Sequence, residues 1–340
     1  MEEVDKYIQM RYVLPIILCL VIKLGFAQNN PNNFQKADSV AKVYLGFSLN
    51  NLPQLASNLT SFSNDEVERY RAIFTWVCEN IEADIPNYRI NNRKRNRFKN
   101  DTSKLEEWNS EFSKIVFKRL LEDKKTVCMG YSYLIMQLCY LANIKAEIVD
   151  GYGRSTTSIY DGFGLPNHSW NSVYLKGRWY LSDPTWSSGD INSENSEFYQ
   201  KYNDGYFLVE PTEFSYTHYP LDKKWLLNDS SLTFSEFQER PLVYKNAFKK
   251  SIFPKEPNLF NRVIEKGESI EFIFKSKSVK NLQNISLEII KGSTIKLIDN
   301  YEVLDESHFK FNYHFTSKGK YDIHLKVDDT YISTFAVTAR

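Results

Sequence analysis

Asn167-His168-Ser169-Trp170-Asn171-Ser172-Val173-Tyr174-Leu175, turning at Lys176-Gly177 into Arg178-Trp179-Tyr180-Leu181-Ser182-Asp183-Pro184, is the stretch from which the rest of the chain can be read. It reads as a β-hairpin, two runs rich in aromatic and branched residues about a two-residue Lys-Gly turn. Such a turn sets Leu175 opposite Arg178, and therefore Asp183 opposite Trp170 and His168 opposite Thr185. Strand side chains alternate between faces, so residues 168 and 170 share one, as do 183 and 185. His168 and Asp183 then point the same way as diagonal cross-strand neighbours. They lie about 7–8 Å apart at the backbone, a gap that their side chains can close with a hydrogen bond. A surface histidine and a turn-capping aspartate before proline would have no reason to share a face. An imidazole held by a carboxylate presents its other nitrogen to a nucleophile.

The nucleophile is found upstream. Thr126-Val127-Cys128-Met129-Gly130-Tyr131-Ser132-Tyr133 precedes an apolar helical pattern through Leu134, Ile135, Leu138, Cys139 and Leu141, which puts Cys128 at a helix N-terminus. Unpaired N–H groups and the helix dipole favour an anion there, and the thiolate is the nucleophilic form of cysteine. The same N–H groups can contribute to an oxyanion hole. A cysteine ahead of an apolar helix is ordinarily a packed residue. The pairing of His168 with Asp183 is what turns the reading toward chemistry.

These residues resemble the transglutaminase-like superfamily, and within it the branch of the kyphoscoliosis peptidase. The resemblance is carried by Val-Cys-x-Gly-Tyr at 127–131, Gly-Tyr at 151–152, Asn-His-x-Trp-Asn at 167–171 and Trp-Tyr-x-x-Asp-Pro-Thr-Trp at 179–186. Ile73-Phe74-x-Trp76 with Asn80-Ile81 extends it upstream, and Tyr206-Phe207-Leu208, Pro211, His218-Tyr219-Pro220 and Trp225 extend it downstream, so that it covers roughly residues 60 to 250. It implies an α+β, papain-like core with N-terminal helices and an antiparallel sheet, with Cys128 as nucleophile, His168 as base and Asp183 as the orienting acid. Where that family often has a Tyr-Asp pair after the first helix, this chain has Glu82-Ala83-Asp84. His218 reads as a turn residue packing the end of the domain. Trp170, Trp179 and Trp186 read as walls and core around the site, and Trp76 and Trp108 as core residues with indole donors to spare.

Around this centre the pattern is mixed. Ser63 with Glu66 forms a capping-box signature before the stripe Val67, Tyr70, Phe74, Val77, Ile81, an amphipathic helix with Cys78 on or beside its apolar face. The basic run Arg89, Arg93, Lys94, Arg95, Arg97, Lys99 reads as a solvated loop, and Glu111 to Leu121 as a second helix. Pro254 and Pro257 mark a linker. Beyond it, period-two runs such as Phe309, Phe311, Tyr313, Phe315 and Tyr321, Ile323, Leu325, Val327 predict about five to seven strands, a C-terminal immunoglobulin-like β-sandwich. The expected domains are therefore 28–250, the catalytic-type core, and 255–340, the sandwich, each with its own core and separable. His308, His314 and His324 read as ordinary strand residues.

With 340 residues the chain is long enough for two domains, and 42% hydrophobic with 15% aromatic residues it is built to pack. A net charge of +1 supplies no field for nucleic acid, and none is expected as a partner. Cysteines and histidines are not clustered for zinc, and Asp161, Asp190 and Glu194 lack the spacing of a calcium loop, so neither metal nor cofactor is expected. The function expected is acyl transfer on protein or peptide amides through a thioester, ending in hydrolysis or in crosslinking. The competing reading is a catalytically silent protein-binding module. Oligomeric state is left open.

Residues 1–27 read as an export signal: Met10 and Arg11 lead into an apolar run from Val13 to Ile22, and Ala27 closes a small-residue site. That run is too short for a stable membrane span. With Cys19 removed, the exported protein, periplasmic or extracellular, keeps Cys78, Cys128 and Cys139, and an odd count favours one free reactive thiol over a disulfide framework. Mass spectrometry of protein recovered outside the cytoplasm should find its N-terminus near Gln28; a chain still carrying Arg11 there would overturn the reading.

Overall fold

The helices that support the hairpin come first in the chain: α1 (Gln35–Val43), α2 (Leu52–Thr60), α3 (Glu66–Asn80), α4 (Ile85–Phe98), α5 (Thr102–Asp123) and α6 (Cys128–Leu141). The computed structural model from which they are taken describes residues 34–156, 164–192, 194–195, 197–228 and 231–340, so the expected signal at 1–27 lies outside the described residues. Helix α3 is capped by Asp65, whose carboxylate accepts the Val67 and Glu68 N–H groups, while Ser63 instead accepts the Asp65 N–H at 3.1 Å. The cap therefore sits two residues later than the capping box implied. Every residue of α3 from Tyr70 to Cys78 is buried, so the helix is not merely amphipathic but central. The charge this traps is compensated: Arg71 pairs with Asp38 at 2.6 Å and Asp204 at 2.8 Å. Its guanidinium also lies over the rings of Phe34, Tyr202 and Phe207.

The basic run at 89–99, read as a loop, is mostly helix. Asp84 caps α4 through the Asn87 N–H at 3.2 Å, Pro86 occupies its first turn, and only Ile85 of the helix is buried. With so little apolar surface there is no periodicity to find in the sequence. Helix α5 also starts earlier than expected, because Asp101 accepts the Lys104 N–H and nucleates it.

A short parallel pair, β1 (Glu82–Ala83) with β2 (Lys125–Thr126), precedes α6. Behind α6 stands an antiparallel sheet of β3 (Lys145–Gly153), β4 (His168–Leu175), β5 (Arg178–Ser182) and, after the small hairpin β6 (Gly189–Ile191) and β7 (Phe198–Gln200), β8 (His218–Pro220), in the order β5-β4-β3-β8. The β4–β5 hairpin has the register its turn required, Leu175 opposite Arg178 through Asn171 opposite Ser182. Lys176 and Gly177 both have positive φ, 47° and 87°, the twist that a two-residue hairpin loop needs. At Gly151 a Cβ would lie 2.2 Å from the Tyr219 carbonyl oxygen and 2.6 Å from the Trp170 ring, so only glycine lets β8 close against β3.

The C-terminal part is a β-sandwich. One sheet runs β10 (Ile252–Glu256), β12 (Ser269–Ser276), β16 (His308–His314), β15 (Glu302–Val303); the other runs β11 (Asn261–Ile264), β18 (Thr330–Ala339), β17 (Gly319–Val327), β13 (Ile285–Lys291), β14 (Thr294–Ile298), with β9 (Leu242–Val243) also paired to β18. Phe309 and Phe311 of one sheet and Tyr321, Ile323, Leu325 and Val327 of the other are buried, the alternation that the sequence displayed.

The segment read as a linker is strand β10, with Ile252, Phe253 and Pro254 buried; it is an edge strand, where proline is tolerated. One continuous apolar cluster runs from Val149, Trp170 and Leu181 of the central sheet through Phe214 and Phe248 to Phe272 and Phe335 of the sandwich. The Arg154 guanidinium donates to the carbonyl of Pro241 at 2.8 Å and that of Gln238 at 3.2 Å, fastening the connecting segment. A chain ending at 250 would unpair β9 and uncover Val243, Ala247 and Phe248. At about 1.5–3 kcal/mol per large side chain exposed, it should melt well below the full chain and bind a hydrophobic dye. Equal melting temperatures would show that the two parts are independent after all.

Candidate functional site

Strand pairing in the hairpin stops at Asn171 and Ser182, and the chain then turns at Asp183 into the short helix Pro184–Ser188. Asp183 caps that helix: its Oδ1 accepts the N–H groups of Thr185 at 2.8 Å and Trp186 at 3.1 Å. Its Oδ2 takes the His168 Nε2 at 2.7 Å, so the expected contact forms although the expected pairs Asp183–Trp170 and His168–Thr185 do not, the chain having left the strand for the helix. It also takes the Nε2 of His218 at 3.1 Å. The carboxylate is fully buried. Burial opposes its charge, yet His168 and then His218 hold it well below the ordinary carboxylate range.

His168 begins β4, opposite Gly151, with its side chain only 7% exposed. Burial works against the imidazolium, but the charge and hydrogen bond of Asp183, followed by those of Cys128, outweigh it and raise the pKa to about 10. With Nε2–H committed to Asp183, Nδ1 is the nitrogen left to face the thiol.

His218 behaves in the opposite way. It lies in β8 opposite Gly153, fully buried, with the Phe214 ring stacked at 3.9 Å and Trp186 at 4.6 Å. Burial lowers its pKa to about 4 in spite of Asp183, and His168 adds to the lowering. The neutral ring donates from Nε2, so Nδ1 accepts, and the Thr217 hydroxyl 2.9 Å away is its donor. The sequence reading as a turn residue missed this second imidazole. Its position depends on β8 joining the sheet beside β3, a pairing between segments far apart in sequence, and the match of His218-Tyr219-Pro220 to a family motif was the one available signal.

Cys128 opens α6. Val127 caps the helix without a side-chain hydrogen bond, so no capping side chain occupies the first-turn N–H groups. The first turn is pressed onto β2: a Cβ at Gly130 would fall 1.9 Å from Thr126 Oγ1. Helix and hairpin are tied together by Asn171 Nδ2, which donates to the Ser132 carbonyl at 3.0 Å. The other two free cysteines are unlike it. Cys78 and Cys139 are buried, and burial raises both thiols far above their ordinary value, whereas Cys128 is partly exposed.

Trp186 and Trp170 flank His168 at ring separations of 5.1 and 6.1 Å. Trp179, expected with them, is instead near the turn end of the hairpin, against Tyr174 and Trp225. The indoles considered as spare donors are both engaged, Trp76 with the Tyr44 carbonyl at 2.7 Å and Trp108 with Asn91 Oδ1 at 3.0 Å. Among the described residues, His168, Asp183 and His218 form a trio whose potential ligand atoms lie within 4.8 Å of one another. Protein donors already satisfy the carboxylate at the centre, and the trio reads as a hydrogen-bonded network.

Residues 53–184 match the model of the transglutaminase-like superfamily. The kyphoscoliosis peptidase of Mus musculus is 32% identical over 225 residues, 63% of this chain and 30% of that protein, and Hillarin of Drosophila melanogaster is 24% identical over 228 residues, 63% of this chain and 25% of that protein. The chain thus spans about a third or less of the length of these relatives. Among solved structures, red sea bream transglutaminase aligns over 88% of this chain and 57% of its own at 10% identity and a TM-score of 0.28, too distant to argue from. By the superfamily match and the motifs at 127–131, 167–171 and 179–186, residues 53–184 form a transglutaminase-like core, and over 63% of its length the chain is similar to the kyphoscoliosis peptidases.

Proposed function

We propose that the protein is an exported cysteine acyl-transfer enzyme acting on protein or peptide amides, with Cys128 as nucleophile, His168 as proton carrier and Asp183 as the group that orients His168. The observation that carries this reading is the 2.7 Å bond between His168 and a buried Asp183, on the side of the imidazole away from a partly exposed cysteine at a helix start. A histidine raised to about 10 is protonated at neutral pH, the state it needs as partner of a thiolate.

The steps follow from these positions. The Cys128 sulfur attacks the amide carbonyl carbon, forming a C–S bond and moving the carbonyl electron pair onto oxygen. First-turn N–H groups of α6 stabilise that oxyanion. The oxyanion collapses, the C–N bond breaks, and the imidazolium of His168 gives its proton to the departing amine. A thioester remains. Water attacking it loses a proton to His168, the C–S bond breaks with Cys128 leaving as thiolate, and an acid is released; an amine attacking in the same way yields a new amide. Asp183 keeps the Nε2–H tautomer throughout, and His218 in turn holds Asp183 from its far side as a positioning residue.

Cys128→Ala and His168→Ala should each lower turnover of a peptide or glutamine-amide substrate by more than about 10³, and the double variant should lose little more than the worse single one. Asp183→Asn should be strongly impaired through the wrong tautomer. His218→Gln, which keeps an N–H donor, should retain more activity than His218→Leu at equal melting temperature. Turnover that survives Cys128→Ala within about tenfold, a loss of only about 1.4 kcal/mol, would sink the thiol mechanism and leave a protein-binding module in its place.

A further inference from the structure

Within the basic run on α4, Arg95 stands apart. It is partly buried, burial lowers its pKa, and its Nε is enclosed with no hydrogen-bond partner among the described residues. Its surroundings explain where it points. Asn91, one turn earlier on the same helix face, accepts the Trp108 indole N–H at 3.0 Å, and the Lys94 ammonium lies 5.3 Å from the same indole. Trp108 and Met129 both pack against the small cluster of Phe112, Val116 and Val127, the last being the residue before Cys128. This face of α4 is thereby tied to α5, which packs on β2 and the start of α6, and Arg95 lies within Coulombic range of Cys128 and of Asp150 on β3. The end of the β3–β4 connection closes on the same helix, since a Cβ at Gly164 would lie 3.8 Å from Asn96 Oδ1.

An enclosed guanidinium nitrogen without a partner is costly unless something else supplies the acceptor. Asp150 does not, because its Oδ1 takes the Ser169 hydroxyl at 2.5 Å and no bond joins it to Arg95. A planar fork of donors beside a nucleophile suits a carboxylate.

We propose that Arg95 is the anion-recognition residue of the thiol site, so that the acyl substrate carries a carboxylate close to its reactive carbonyl. The inference rests on the thiol reading of Cys128 and adds the substrate class to it.

Alkylation of Cys128 tests it without a known substrate. Second-order rates with iodoacetate, which is anionic, and iodoacetamide, which is neutral and of similar size, are measured on the full chain with mass-spectrometric site mapping. Arg95→Gln should lower the iodoacetate-to-iodoacetamide ratio by about tenfold, the scale of one charge acting at short range in a half-buried site. Arg95→Lys should fall between the two, and Asp150→Asn should raise the ratio. Iodoacetamide rates and melting temperatures that stay near the wild-type values show that the fold is intact. Protection from iodoacetamide by N-acetylaspartate amide would assign the carboxylate to a side chain, and protection by N-acetylglycine to a chain end. A ratio unchanged within twofold in Arg95→Gln overturns the anion site and leaves the thiol reading standing. A Cys128 that reacts with neither reagent overturns both.

Discussion

A single buried carboxylate organises this site. Asp183 is charged, fully enclosed and bonded by four donors drawn from three places: the backbone of its own helix start, the first residue of β4 and the first residue of β8. An unpaired charge at such depth would cost several kcal/mol, and the four donors share in offsetting it. The hairpin brings His168, the chain reversal at Pro184 brings the two N–H groups, and Gly151 of β3 lets β8 bring His218. What looks like an orienting group for a catalytic base is also the point at which hairpin, helix and sheet edge are joined.

The two histidines bonded to Asp183 are nonetheless unlike. His168 is raised from 6.5 to about 10, so the stability it contributes is complete below 6.5 and is lost as pH rises through about 10. His218 is lowered from 6.5 to about 4, so the unfolded chain binds the extra proton and the fold weakens as pH falls from 6.5 toward 4. Asp183, held below its ordinary 3.8, contributes stability above that value and loses it in stronger acid. The sulfur-facing imidazole is kept charged and the inner one neutral, a division of roles that one acceptor between two unequal sites imposes.

The parts of this arrangement that were legible in the sequence are those set by local rules. Strand alternation and a two-residue turn fixed the register of 171–182, and the helical pattern after Cys128 fixed its place at a helix start. The strands at 309–327 announced themselves by the same alternation. What could not be read depended on distant partners. His218 acquires its role only when β8 pairs with β3. The basic run folds as α4 because Asp84 caps it and Trp108 holds Asn91, not because of any apolar stripe. Pro254, read as part of a linker, lies in β10, and the sandwich and the central sheet share one apolar cluster, which no local pattern records.

The account stands on Asp183 holding His168 protonated while burial keeps His218 neutral. The direct measurement is an NMR titration of the imidazole resonances in the full chain, assigned through His168→Gln and His218→Gln. One ring should stay protonated well above pH 7, toward about 10, and the other should stay neutral down to about 4; in Asp183→Asn the first should fall back sharply while the second, lowered by burial, stays neutral. Two histidines titrating together near 6.5 in the wild-type protein would contradict it.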